Sequence, residues 1–339
     1  MNRCIFVLVA SCVLLLVLAL VSLIVGPIPI RLASVVQWLI GGDGVSLTST
    51  EQAILWELRL PRIVTACFVG GSLGISGVGF QALFRNPLAD PYVIGASSGA
   101  ALGVTLALVT GFQVSVMGLG GTALAALLGS ILAVIVVFAI GSVGRDGSSL
   151  SLLLAGVALS SMINALVSLM MYLHEEKVVV ILAWLMGSLA DNDWNVVFAT
   201  AIASFAGFSI LFSLSRALDA FSLGDVASQS LGLDLVRFRI LMVTGSSLAT
   251  AAAVAAAGII GFIGLIAPHI ARALVGPRHR FLIPMSAVVG ATLLLIADGL
   301  ARTIVAPAEL PVGIVTAILG CPFFLFLLKT RAKVGGLAS

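Results

Sequence analysis

The sequence predicts an all-helical polytopic membrane protein with about ten transmembrane helices, and three observations carry that reading. Hydrophobic residues make up 60% of the 339-residue chain, charged residues only 9%, and the mean hydropathy is +1.24, whereas a soluble domain is roughly 45–50% apolar. The apolar residues fall into runs close to the about 20 that a bilayer core requires of a helix. The runs also lack the alternation of a barrel strand, and in lipid the remaining solution is a helix that satisfies its own backbone. Residues 1–339 read as one transmembrane domain.

The first run, Ile5 to Val25, follows a single arginine, Arg3. It is too long for a signal-peptide core, and Gly26-Pro-Ile-Pro29 offers no small-residue cleavage site, so it is expected to stay as the first helix. Runs follow at 63–83, 93–112, 114–140, 150–172 and 196–214. Ile240 to Ile270 is 31 residues long without a formal charge when His269 is neutral. That is too long for one span, and Gly258, Gly261 and Gly264 mark a break into two helices, the second short. Runs at 281–297 and 310–328 complete the ten. Val178 to Ala190, 13 residues ending in Asp191-Asn-Asp-Trp194, is expected to be interfacial or re-entrant.

With the N-terminus inside, this threading puts twelve Lys and Arg residues on the cytoplasmic side and five outside, as the positive-inside rule requires. Both termini are then cytoplasmic. Gly70-x3-Gly74 and Gly95-x3-Gly99-x3-Gly103 are spaced for close helix contact. Cys4, Cys12, Cys67 and Cys321 lie in apolar runs and form no CxxC pair, so they read as small hydrophobes.

The spans are nearly empty of ionisable groups, which argues against a proton relay of the kind secondary transporters use. Asp298 is expected to pair with nearby Arg302. His174, His269 and His279 are far apart, giving no metal cluster. No phosphate-binding loop, zinc-protease or nucleophile-elbow motif occurs, and no basic patch with interleaved aromatics suits nucleic acid. The chain binds no cofactor in this reading and is not an enzyme. Any uphill transport then requires a separate ATPase, and an ATP-driven permease subunit is the leading class.

Two polar stretches stand out. Phe84 to Ala100, FRNPLADPYVIGASSGA, sets prolines and charges between two apolar runs; Pro87 and Pro91 end one helix and delay the next, Arg85 holds the turn cytoplasmic, and Asp90 balances it or caps the segment after it. Residues 215–239 form the largest cytoplasmic loop, with a helical pattern at Leu223 to Leu235. Asp225 favours the helix start, and Ala227, Leu231 and the residues around Gly232 give it a compact apolar side. It reads either as a solvated loop helix or as a lever that docks into a motor.

RLPR (Arg59 to Arg62), SGVGFQALFRNPLADPYVIGASSGA (Ser76 to Ala100), LLLAGVALS (Leu152 to Ser160), GFIGLIAPHIAR (Gly261 to Arg272), GPRHRFLIP (Gly276 to Pro284) and ELPVGIVTAILGCPFF (Glu309 to Phe324) resemble, in order, the motifs of FecCD-type permeases of bacterial ABC importers for iron chelates, haem and vitamin B12. The resemblance implies a type II ABC importer permease fold in the inner membrane. It implies two such chains, as a homodimer or heterodimer, enclosing a central pathway. Two cytoplasmic ABC ATPase subunits, which hold ATP and Mg, and an extracytoplasmic binding protein complete the assembly.

The resemblance also implies residue roles. Leu223, Gly224, Asp225, Ala227, Leu231 and Gly232 match the coupling helix seated in the ATPase. Arg59, Arg62 and Arg302 match arginines that, in the family's vitamin B12 importer, receive glutamates of the binding protein, a role that suits bidentate guanidinium chemistry. Asn86 and Leu88 match the cytoplasmic gate. Ser149 and Leu150 match a second gate, with Leu150 standing where the family has a second hydroxyl, so an apolar side chain is left to constrict. Met162, Asn164, Met170, Met171, Trp184 and Met186 are expected to line the pathway, an adaptable and weakly chelating surface. The cargo expected is a ferric siderophore or haem; vitamin B12 and oxyanions such as molybdate are the alternatives within the family, and an ATP-independent transporter, channel or membrane scaffold is the alternative outside it.

Overall fold

Side-chain caps set where three helices and one 3-10 turn of this computed structural model begin. The structure describes residues 2–26, 28, 30, 31, 35, 38, 48–112, 114, 115, 120–141 and 149–335, and among these there is no strand. Helix α1 (Asn2–Ile24) is apolar throughout and lies at the outside of the bundle. Thr48 and Glu51 form a reciprocal capping box that starts α2 (Ser49–Ala53). A π-helical turn, Ile54–Arg59, joins it to α3 (Leu60–Leu83), giving a continuous rod of 35 residues. This rod begins well before the expected run at residue 63, because the capping box supports an amphipathic extension that hydropathy alone does not mark.

A 3-10 turn, Pro91–Ile94, is capped by Asp90, which accepts from the Tyr92 N–H at 2.9 Å. It leads into α4 (Ala96–Thr110), α5 (Gly121–Gly141) and α6 (Ser149–Leu173). A second 3-10 turn, Glu175–Lys177, precedes α7 (Val178–Leu185). Asp193 caps α8 (Trp194–Ser213) through the Val196 N–H.

The segment expected as a cytoplasmic loop, 215–239, is mostly helical. It holds α9 (Ser215–Phe221) and α10 (Asp225–Ser230). Its last residues already belong to α11 (Leu235–Ala257), because the Asp234 carboxylate accepts from Val236 and Arg237 N–H and starts that helix early. Helix α11 stops at Gly258, whose φ of 68° ends it at the expected break, and α12 (Ile263–Val275), α13 (His279–Thr303) and α14 (Val312–Gly335) follow. Among the described residues, seven helices are long and apolar enough to cross a membrane, and three shorter apolar ones, Ala96–Thr110, Ile263–Val275 and Val312–Leu327, bring the set to ten.

Helix α3 is central, packed by α13, α11, α8 and α12, while α4 and α5 pair at one side and α6 flanks them. The α3–α13 crossing has no side chain between backbones: a methyl at Gly70 would collide with Gly290, and one at Gly74 with Ser286. Gly99 and Gly103 meet Gly129 and Ala125 of α5 in the same way. The expected close packing is therefore met at four of the five glycines. Gly95 instead supplies the left-handed residue (φ 86°) before α4.

The segment after α7, expected to be interfacial or re-entrant, is bonded to the ends of two other helices. Ser188 donates to the Ala257 carbonyl (2.9 Å), Val312 to Gly187 (3.1 Å) and Gly313 to Met186 (3.2 Å). The ends of α11 and α14 thus satisfy backbone groups that lipid could not.

Candidate gate turn, coupling helix and charge cluster

Two ends of α3, roughly 36 Å apart by helical rise, carry most of the charged side chains with assigned partners. At the C-terminal end the chain leaves α3 through a Schellman turn. The Asn86 N–H reaches the Gln81 carbonyl (3.0 Å) and the Arg85 N–H reaches Ala82 (3.1 Å). The left-handed position of this turn is occupied by Arg85, at φ 46°. Asn86 Oδ1 then accepts from the Leu88 N–H at 3.0 Å, so Asn86 and Leu88 share one compact turn, with Asn86 exposed and Leu88 half-buried. Asp90 does cap the segment after it, one of the two roles the sequence allows, and burial pushes its carboxyl up to about 6. The Tyr92 hydroxyl closes the far side, donating to the Ile260 carbonyl and accepting from its N–H, both at 3.2 Å.

Helix α6 starts beside this turn. Gly156 packs on the Val93 carbonyl, and Leu150, six residues earlier, is exposed. Ser149 is the first residue of α6; its side chain lies outside the described residues, as do Gly147 and Ser148.

Helix α10 lies at the same end. Gly224 precedes it, and the Gly232 N–H to Gln229 and Leu233 N–H to Ser228 bonds close it in a second Schellman turn around Gly232 (φ 84°). Ser228 fastens it inward by donating to the Ala220 carbonyl at 3.0 Å. The expected compact apolar side forms only in part: beyond Gly232, Leu233 and Leu235 pack against the core. Leu231 points outward with Leu223 and with Val226, a residue the pattern did not single out; they are 66%, 67% and 79% exposed. The packed residue is the polar Ser228, because its hydroxyl finds backbone acceptors that an aliphatic side chain could not use. Ala227 and Gly224 are half-buried. Asp225, in the first turn, has its two oxygens held by Arg85 (2.5 Å) and Arg239 (3.0 Å).

At the opposite end of α3 the three arginines expected to project are turned inward. Arg62 donates to Asp298 Oδ1 from Nε (2.9 Å) and Nη2 (2.8 Å), and from Nη1 to Glu309 (2.7 Å). Arg302 pairs with Asp298 Oδ2 at 3.1 Å, the local pair read from the sequence, and reaches Ser22 and the Val25 carbonyl of α1. Arg59 donates to the carbonyls of Leu23, Ile24 and Ile28. All three are nearly buried, so in this conformation they tie α1, α3 and α13 together. An aromatic run, Trp38–Trp56–Trp194, borders this end, with ring centroids 6.1 and 5.1 Å apart.

The residues expected to line a pathway do not share one cavity. Asn164 faces a cavity of about 590 Å³ whose wall sets Asp90, Ser97, Ser98, Ser160 and Ser161 among apolar residues such as Val157, Val167 and Leu185. Met162, two positions earlier, lies in a different, apolar groove against α4 and α5, as two steps of a helix rotate a side chain by about 200°. Met171 and Trp184 pack against separate apolar clusters. Met186 is exposed and Met170 half-buried. The serines at 97, 98, 160 and 161 went unnoticed in the sequence. Their i, i+1 pairing on two neighbouring helices is the signal that marks them.

These features can be set beside known proteins. Residues 14–330 match the FecCD transport family. The molybdate import system permease protein MolB of Haemophilus influenzae is 38% identical over 96% of this chain and 95% of its own length. The Fe(3+)-citrate import system permease protein YfmE of Bacillus subtilis is 37% identical over 95% and 94%. The cobalamin import system permease protein BtuC of Halobacterium salinarum is 38% identical over 83% and 75%. A solved inward-facing metal-chelate type ABC transporter superposes with a TM-score of 0.83 at 36% identity, covering 95% of this chain and 98% of that one. The ten apolar helices, the motif order and these likenesses place the chain in one group: it belongs to the FecCD transport family and is a multi-span permease of the ABC importer type.

Proposed function

We propose that this chain is the membrane subunit of a binding-protein-dependent importer that moves an iron chelate, a ferric siderophore or haem, across the inner membrane by ATP-driven alternating access. The observation that carries the reading is α10, a short helix that holds Leu223, Val226 and Leu231 toward solvent while Ser228 anchors its other side. Exposed apolar groups so arranged fit the cleft of a partner protein, here one of two ABC ATPase subunits that carry ATP and Mg. This chain itself then needs no hydrolytic chemistry and no cofactor.

The α10 end is cytoplasmic in this proposal, with both termini, in keeping with the distribution of Lys and Arg. Asn86 and Leu88, with Ser149 and Leu150, form the cytoplasmic gate. The wide uncovered face of α6, including Leu154, Val157 and Leu166, and the serine-bearing cavity around Asn164 face a second copy and the pathway between them. The binding protein docks at the Arg62 end. Arg59, Arg62 and Arg302 act there by fixing the receiving surface, since their guanidinium groups are engaged internally.

The iron-citrate relative and the metal-chelate transporter favour iron cargo, and the molybdate and cobalamin relatives define the alternative. Reconstitution with the cognate ATPase and binding protein tests the whole reading. Uptake of ferric citrate or haemin into proteoliposomes is expected to require ATP. ATP-independent uptake that is abolished by collapsing the proton gradient overturns the importer assignment, and the ligand that co-purifies with the binding protein decides the cargo.

A further inference from the structure

The two Schellman turns at the α10 end are built alike except at the position that must adopt positive φ. After α10 that position is Gly232, with no atom near the place of a side chain. After α3 it is Arg85, one of two non-glycine residues at positive φ among the described residues. A non-glycine residue there is strained, so its side chain must be fastened to keep it. Arg85 Nη2 lies 2.5 Å from Asp225 Oδ1 and 3.1 Å from the Phe221 carbonyl, and the guanidinium sits over the Phe221 ring at 4.4 Å. Phe221 is itself fixed, buried against Phe238 at 5.0 Å. The other Asp225 oxygen is taken by Arg239 of α11.

Arg85 immediately precedes Asn86, and Asp225 is the first residue of α10. A single ion pair therefore joins the gate turn to the helix proposed to seat in the ATPase. Glycines at positive φ, Gly224 (107°) and Gly232 (84°), flank α10, so the helix can be displaced as a unit between two permissive joints. We propose that Arg85 and Asp225 are a positioning pair that delivers movement of α10 to Asn86 and Leu88. The inference rests on the coupling-helix and gate readings given above.

Arg85→Gly is the decisive variant, because glycine suits the turn and removes only the guanidinium; Asp225→Asn removes the charge from the other side. A spin label at Leu88→Cys, in a chain whose four native cysteines are replaced by serine, measures the gate distance between the two protomers of the full complex. In the parent complex this distance is expected to shift between the nucleotide-free and vanadate-trapped states. Arg85→Gly is expected to shrink the shift at least about twofold while the complex stays assembled and hydrolyses ATP; Asp225→Asn is expected to shrink it to a similar degree, and the double variant to be no worse than the more affected single, as for residues acting through one contact. A full shift in Arg85→Gly, or additive losses in the double variant, overturns the pairing. No shift in the parent complex overturns the gate reading and the pairing with it. Loss of the ATPase from Val226→Asp/Leu231→Asp, with a full shift in Arg85→Gly, leaves the coupling helix standing and removes only the pair.

Discussion

The charge cluster at the N-terminal end of α3 and the one at its C-terminal end use the same groups, arginine and aspartate, in opposite surroundings. Around Asp298 the side chains of Arg62, Arg302 and Asp298 are 11%, 3% and 0% exposed, with Glu309 at the edge at 33%; around Asp225, Arg85 and the aspartate itself are 42% and 41% exposed and Arg239 16%. Burial makes the first cluster costly to break, since removing Asp298 leaves two desolvated arginines short of a charge partner. Water leaves the second adjustable, because its ends can shift with little desolvation cost, while two arginines hold Asp225 and the Phe221 ring backs Arg85. The first suits a fixed joint and the second a link that moves without parting.

The largest effect is expected where the buried joint is broken. Asp298→Asn leaves Arg302 without its carboxylate and Arg62 with Glu309 alone, and is expected to destabilise the protein by about 3–5 kcal/mol, read as a fall in thermal midpoint in detergent. Replacing the three buried members, Arg62→Met, Asp298→Leu and Arg302→Met together, is expected to recover most of that loss, since a packed apolar core of similar volume is no less stable than a buried ion group and the partly exposed Glu309 is left to water. A triple variant as unstable as the single breaks the comparison.

At the other end the expected loss is of partnership, not of fold. Val226→Asp with Leu231→Asp places two charges on the outward face of α10 and is expected to weaken ATPase binding roughly hundredfold, with an unchanged thermal midpoint. Copurification of the ATPase at parental yield contradicts this.

A smaller effect is expected of Asp90, in the turn beside the exposed cluster. Burial raises its carboxyl from 3.8 to about 6, so between those values the folded protein holds the proton more than the unfolded chain does. Stability is expected to fall as pH rises through that window and to level off above it. Asp90→Asn keeps the cap and flattens the profile; an unaltered slope rules Asp90 out as its source. The smallest effect is expected at Arg237, whose pair with Asp234 at 3.1 Å is largely solvated. Arg237→Ala is expected to change stability by less than about 0.5 kcal/mol, measured by the same melts, and a larger change means exposure does not rank these pairs.

Much of the fold was legible because hydropathy and small-residue spacing are local signals. The ten apolar stretches, the break at Gly258 and the contacts of Gly70, Gly74, Gly99 and Gly103 all stem from them. The Asp298–Arg302 pair was legible as an i, i+4 neighbour, whereas Arg62 was not, being 236 residues away from Asp298. The left-handed Arg85 was hidden because asparagine, the next residue, is the commoner occupant of that conformation. Helix α2 had a readable signature in Thr48 and Glu51, but it lies outside the apolar run that drew attention. The outward turn of Val226 was not legible because its i, i+3 and i+8 spacing with Leu223 and Leu231 marks one helical face without saying whether that face meets the core or solvent.

The aromatic run beside the Arg62 end has an optical consequence. Of the four tryptophans in the chain, Trp38, Trp56 and Trp194 stand in ring contact at that end, within range for their excited states to exchange energy. Intrinsic emission of the purified protein is thus weighted toward one face. A protein settling on that face should change its colour and intensity without any dye, while events around α10 should leave it nearly dark to the detector.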